Sequence, residues 1–168
     1  SVEYLPNAAG SLTNLSKYPN TGSNYEKVND ENNDTYVYTY STSIVRDTYN
    51  FADVSDLGTI TSVIVDVLAG VSNGGTGYAT PILRIGSTNY GSEQSIDGFY
   101  RDKTQEWTAN PSTSASWQWS DLNNAQIGVG LRTNDGAKNA SCGRVGIIIN
   151  YTTPGGGSGQ VRVIGMAM

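Results

Sequence analysis

The chain has no histidine and a single cysteine. The first absence removes the usual base of hydrolytic triads and a common zinc ligand. The second excludes an internal disulfide framework. Cys142 itself reads as a small buried hydrophobe beside a strand rather than a reactive thiol. Charge is sparse, at 15% of residues, and the balance is acidic, with a formal net charge of -5. The ten basic residues are scattered, so no phosphate-tracking stripe can be drawn and nucleic acid is not an expected partner. No apolar run approaches the ~18 residues of a membrane-spanning helix, so no membrane partner is expected either. Nothing in the chain reads as a long helix, a coiled coil or an internal repeat.

Gly, Tyr, Ser, Thr and Asn are abundant instead, with 20 Gly and 11 Tyr. Low charge combined with aromatic and β-branched residues suits strands joined by turns, and it argues against disorder. The period-two signal is strongest over Ile60–Val71, where Val63, Val65, Val67, Ala69 and Val71 share one face. Ile64, Asp66 and Leu68 share the other. Asn73-Gly74-Gly75-Thr76-Gly77 is a turn signal, and Ala79–Ile85 returns as a strand, which predicts a hairpin. Further strands are expected near Tyr4-Leu5 and over 35–40, 47–52, 99–107, 126–132 and 142–151. A short helical turn is expected over 116–125, capped by Ser120 or Asp121.

This pattern predicts an all-β fold, an antiparallel β-sandwich of jelly-roll type. Residues 1–33 read as an extended N-terminal arm, 34–152 as the sandwich body, and 153–168 as a Gly-rich linker followed by a tethered strand. In that last segment Val161, Val163, Ile164, Met166 and Met168 are the candidate assembly residues. They would fill apolar grooves of a neighbouring subunit while the backbone adds to its sheet edge.

Several strings then resemble, as an ordered set, a family of virion structural β-sandwich proteins of bacteriophages and prophages. They are Tyr25-Glu26-Lys27-Val28-Asn29-Asp30-Glu31-Asn32-Asn33-Asp34-Thr35-Tyr36-Val37, Gly58-Thr59-Ile60-Thr61-Ser62-Val63 and Glu106-Trp107-Thr108-Ala109-Asn110-Pro111. Trp117-Gln118-Trp119-Ser120-Asp121-Leu122-Asn123 with Ile127-Gly128-Val129, and Arg144-Val145 to Asn150-Tyr151, complete the set. The resemblance covers roughly residues 1–152. It implies a non-enzymatic capsid decoration, tail or fibre protein, located in the virion, whose partners are copies of itself and other virion proteins. It supplies no catalytic residues.

Two other function classes stay open. Tyr36, Tyr38 and Tyr40 lie on one face of a strand, and with Trp117 and Trp119 they form a candidate ligand platform for a glycan or receptor. The bland alternatives are core packing for the tryptophans and an intersubunit contact or burial for the tyrosines. A subunit of an extracellular microbial filament would use the same donated strand. Asp30, Glu31 and Asp34 are a candidate Ca²⁺ loop, although the spacing is not that of an EF-hand, and solvated turn-capping explains them equally. No other cofactor is expected. Asp66 is expected to be buried and paired, with Arg84 across the hairpin as its candidate partner. Asn14, Asn33, Asn139 and Asn150 begin Asn-x-Ser/Thr patterns that arise by chance in such a composition.

Overall fold

The strongest alternating segment and the segment expected to close the body form the two longest strands and lie side by side. They are β6 (Thr59–Val71) and β12 (Ala140–Thr152), paired antiparallel from Val71↔Ala140 to Thr59↔Thr152. The computed structural model describes residues 1–30 and 34–154. The other strands are β1 (Val2–Tyr4), β2 (Pro6–Thr13), β3 (Ser16–Tyr18), β4 (Tyr36–Thr39) and β5 (Val45–Phe51). They are followed by β7 (Gly77–Ile85), β8 (Thr88–Tyr90), β9 (Gln94–Ile96), β10 (Arg101–Trp107) and β11 (Ala125–Thr133).

These make two six-stranded antiparallel sheets packed as a sandwich of jelly-roll type. One has the order β10-β6-β12-β4-β3, with β1 also on β12; the other has β2-β5-β11-β7-β8, with β9 on β7. Val63, Val65 and Val67 of β6 and Val145, Ile147 and Ile149 of β12 face inward against Leu83 of β7 and Ile127, Val129 and Leu131 of β11. Each fully buried side chain of this size stabilises the fold by about 1.5–3 kcal/mol.

The hairpin expected between β6 and β7 is not formed. Asn73 and Gly74 do adopt left-handed dihedrals, as the sequence signal requires. The chain then crosses to the opposite sheet instead of pairing back. The reason lies in burial: β6 is already flanked by β10 and β12, and the apolar faces of β6 and β7 cover each other across the core. The expected N-terminal arm is also replaced by structure. β1 pairs with β12, β2 with β5 and β3 with β4, so the first 18 residues belong to this chain's own sheets. Val2, Pro6 and Leu15 are buried, which anchors a segment too polar to look like strand.

An anion within the core holds this N-terminal segment. Asp47 on β5 is fully buried. Its Oδ1 accepts the backbone N–H groups of Asn14 at 2.6 Å and Leu15 at 2.8 Å. Its Oδ2 accepts Asn24 Nδ2 at 2.6 Å and the Tyr49 hydroxyl at 3.1 Å. Asn24 Nδ2 also donates to the Leu15 carbonyl at 2.9 Å. Burying a carboxylate is tolerable because its lone pairs meet four donors. Together they fix the turn from β2 to β3. No helix of the described residues is long and apolar enough to cross a membrane.

Candidate functional site

The outer face of the first sheet carries the tyrosines. On β4, Val37 is fully buried, so alternation sends Tyr36 and Tyr38 outward, and Tyr40 follows them just past the strand end. β3 pairs alongside with Tyr18 opposite Tyr36 and Ser16 opposite Tyr38, which adds a fourth ring to the row. Tyr18 and Tyr36 stack at 5.2 Å between centroids with planes 21° apart. Tyr36–Tyr38 and Tyr38–Tyr40 are edge-to-face at 5.9 and 5.8 Å. Both geometries suit the ring quadrupole. The ends of the row are the open part, with Tyr18 54% and Tyr40 52% exposed. A small open groove of about 220 Å³ borders it, lined by Leu15, Ser16, Lys17, Asn20 and Tyr38.

Across β12 the face becomes polar. Tyr38 lies opposite Ser141, which lies opposite Gly70 of β6. The Ser141 hydroxyl donates to the Gly70 carbonyl at 3.4 Å and accepts from the Tyr100 hydroxyl at 2.7 Å. Gly70 permits this, because a Cβ there would stand 2.9 Å from the Phe99 oxygen and 3.1 Å from the Tyr100 nitrogen. The backbone entering β10 therefore rests directly on the sheet. Burial pushes the Tyr100 phenol up to about 12. Tyr36 is also raised, first by burial and then by Tyr18, Tyr38 and Tyr40 around it. Both phenols stay neutral at physiological pH and keep a donor as well as an acceptor.

Beyond them four strands converge on Arg144. Its Nη1 lies 3.1 Å from Glu3 Oε1, and its Nη2 pairs with Asp66 and reaches Asp102 Oδ1 at 3.5 Å. Asp66 thus has Arg144 as its partner, not Arg84. Arg84 lies in the other sheet and donates to Asn89 at 2.8 Å. Burial raises the Asp66 carboxyl above its ordinary value, Arg144 opposes that rise, and Glu3 and Asp102 add to it. Asp66 Oδ1 has no hydrogen-bond partner among the described residues.

The two tryptophans expected beside the tyrosines are elsewhere, inside the fold. Trp117 is 3% exposed and donates its indole N–H to the Trp107 carbonyl at 3.0 Å. Trp119, 9% exposed, donates to the Gly58 carbonyl at 2.6 Å and meets the Tyr151 ring edge-on. They bracket the start of one helical turn, α1 (Trp119–Leu122). Its cap is Gln118, whose backbone N–H donates to the Asp121 carboxylate at 2.9 Å, so Asp121 sits inside the turn and Ser120 is not the cap. Large amphipathic rings plug the end of a sandwich core and find carbonyl partners for their N–H groups.

Of the candidate Ca²⁺ loop, Asp30 and Asp34 are described and Glu31 is not. Among the described residues no group of three or more His, Cys, Asp or Glu side chains is placed to hold a metal ion. The candidate assembly residues Val161, Val163, Ile164, Met166 and Met168 lie outside the described residues. Tyr18 and Tyr100 are members of the face that periodicity alone does not reach.

No protein-family model matches the chain, and no curated protein matches it. Among solved structures the chain is similar to a "Family 16 Carbohydrate Binding Module-2" at 8% identity and a TM-score of 0.46, over 83% of this chain and 89% of that one. It is also similar to TmCBM61 in complex with beta-1,4-galactotriose, at 10% identity and a TM-score of 0.44, over 81% and 87%. A third is the N-terminal cellulose-binding domain of Cellulomonas fimi beta-1,4-glucanase C, at 15% identity and a TM-score of 0.40, over 90% and 89%.

Proposed function

We propose that this protein is a non-catalytic glycan-binding β-sandwich module whose platform is the tyrosine face of the first sheet. The observation that carries the reading is the contiguous row Tyr18-Tyr36-Tyr38-Tyr40 on an outer face, with both ends open. Flat aromatic faces match the C–H faces of sugar rings, and neutral phenols offer donors and acceptors to ring hydroxyls. Glu3, Asp66 and Asp102 outnumber Arg144 on the same sheet face, so the preferred ligand is a neutral glycan, not a sulfated or uronate one.

The test is a titration with neutral β-1,4-linked gluco- and galacto-oligosaccharides, read by calorimetry and by the tyrosine ring resonances. Trp fluorescence is a poor probe, because Trp117 and Trp119 are buried and the half-buried Trp107 packs against the core. Loss of one stacked ring in Tyr18→Ala or Tyr38→Ala removes about 0.5–1.5 kcal/mol, which is a ~2- to ~12-fold rise in Kd. Saturable binding unaffected by both variants places the site elsewhere. No binding across a broad glycan array removes the reading.

The second reading is assembly within a virion, with partners of its own kind. Its support is the sequence resemblance, together with the exposed tyrosines, a residue type enriched at protein interfaces. Light scattering on the full chain and on a 1–153 truncation separates the two readings. A full-length oligomer that falls to a folded monomer favours assembly, and two identical monomers favour the glycan platform.

A further inference from the structure

The outer face of the second sheet has the opposite electrostatic character. Tyr49 and Asp47 of β5 point inward, so Arg46 and Thr48 point outward; on β7, Leu83 points inward and Thr80, Ile82 and Arg84 outward. Arg132 on β11 shares this face, but it is neutralised by Glu93 at 2.7 and 3.1 Å and lies over the Tyr78 ring at 3.9 Å. Neither Arg46 nor Arg84 makes a direct ion pair among the described residues, although Arg46 adds to Arg132 in holding the Glu93 carboxyl below its ordinary value. That is unexpected in a chain with 15 acidic and 10 basic residues.

Arg46 and Arg84 both line one open groove of about 370 Å³, with Leu12, Asn14, Ile44 and Asn89 among its other walls. None of its lining residues is a carboxylate. On this face β11 contributes Gly128 and Gly130, and a Cβ at Gly130 would stand 2.8 Å from Ile44 Cδ1. Two polar atoms along β7 lack partners among the described residues. One is Arg84 Nε, whose guanidinium is oriented by the 2.8 Å bond from Nη1 to Asn89 Oδ1. The other is the hydroxyl of Thr80, only 7% exposed, which packs near Ile44 around Gly130.

We infer that this groove is an oxyanion site, distinct from the tyrosine face, which takes a carboxylate, sulfate or phosphate group. Arg84 and Arg46 supply charge, and the planar guanidinium fork suits an oxyanion better than a point charge would. Asn14 and Asn89 supply amides, and Leu12 and Ile44 form an apolar wall for the part of the ligand that carries the anion. The inference does not depend on glycan binding at the other sheet.

Sodium sulfate, sodium phosphate and sodium glucuronate are titrated at constant ionic strength while the arginine Nε–H resonances are followed. Saturable shifts at Arg84 and Arg46 with Arg132 unmoved are the expected result. Arg84→Gln and Arg46→Gln should each weaken binding at least tenfold, and Arg84→Lys should recover part of the loss, with near-UV dichroism confirming the fold. Glucuronate bound more tightly than the inorganic anions identifies a sugar acid as the source, and the reverse order identifies a free anion. Shifts that are non-saturating and equal at Arg132, or affinities unchanged in both Gln variants, overturn the site.

Discussion

Substituting Asp47 tests whether one buried carboxylate fastens the first 24 residues to the sandwich. In Asp47→Asn the backbone N–H groups of Asn14 and Leu15 cannot reverse, so the new amide oxygen must take the Oδ1 position. Its NH₂ then faces Asn24 Nδ2, which is tied to the Leu15 carbonyl and cannot flip without placing two carbonyl oxygens together. The Tyr49 hydroxyl can rotate and accept, so that contact survives. One charge-assisted bond is lost and one buried donor is left facing another, for a total of about 3 kcal/mol. Urea unfolding followed by the buried Trp117 and Trp119 should show this as a lower midpoint with an unchanged slope. For a chain of this size the melting temperature should fall by roughly 6–12 °C. Asp47→Ala, which orphans all four donors, should cost on the order of 5 kcal/mol. Tyr49→Phe should cost about 1 kcal/mol and be non-additive with Asp47→Asn. A loss below about 1 kcal/mol in Asp47→Asn would refute the reasoning, because water or local rearrangement would then be satisfying those donors.

Two further predictions concern titration and reactivity. Burial raises the folded-state pKa of Asp66, so its contribution to stability is fully present below the ordinary value of 3.8 and is lost as pH rises through the folded value. Asp66→Asn should therefore gain on the unmodified chain between pH 4 and pH 7 in urea unfolding; a difference that is flat or runs the other way would mean that pairing with Arg144 outweighs burial. Burial pushes the Cys142 thiol up to about 12, so a thiol-specific reagent at pH 8 should label it only as fast as the chain opens. Labelling at the rate of a free thiol in native protein would contradict its buried position.

Long alternation made β6 legible, and the same rule put Tyr36, Tyr38 and Tyr40 on one face, while only the buried Val37 shows that this face is the outer one. All eight segments expected as strands are strands, and β2, β3, β8 and β9 join them. The last three are three residues long, too short to display a period. Tyr18 was hidden for that reason, since it enters the row only through the pairing of β3 with β4. Arg144 was hidden by a register shift. Strict alternation puts it on the same face as Cys142, but the irregularity between Cys142 and Arg144 leaves the cysteine inside and turns the arginine out. The alternative would bury a guanidinium in an apolar core. Trp117 and Trp119 show the converse problem: composition shows aromatic residues, but only tertiary packing decides whether a ring faces water.

The pairing of β1 with β12 also has a mechanical consequence. Val2 lies opposite Ile149 in antiparallel register, so the two ends of the described chain leave the same end of the sheet. Tension applied between them acts on one residue pair at a time, as in opening a zipper, and three pairs, Val2↔Ile149 to Tyr4↔Ile147, resist it together with the Glu3–Arg144 ion pair. β12 remains held along its length by β6 and at its start by β4. Under load β1 should peel away at low force as a discrete first event, lengthening the molecule while both sheets stay packed.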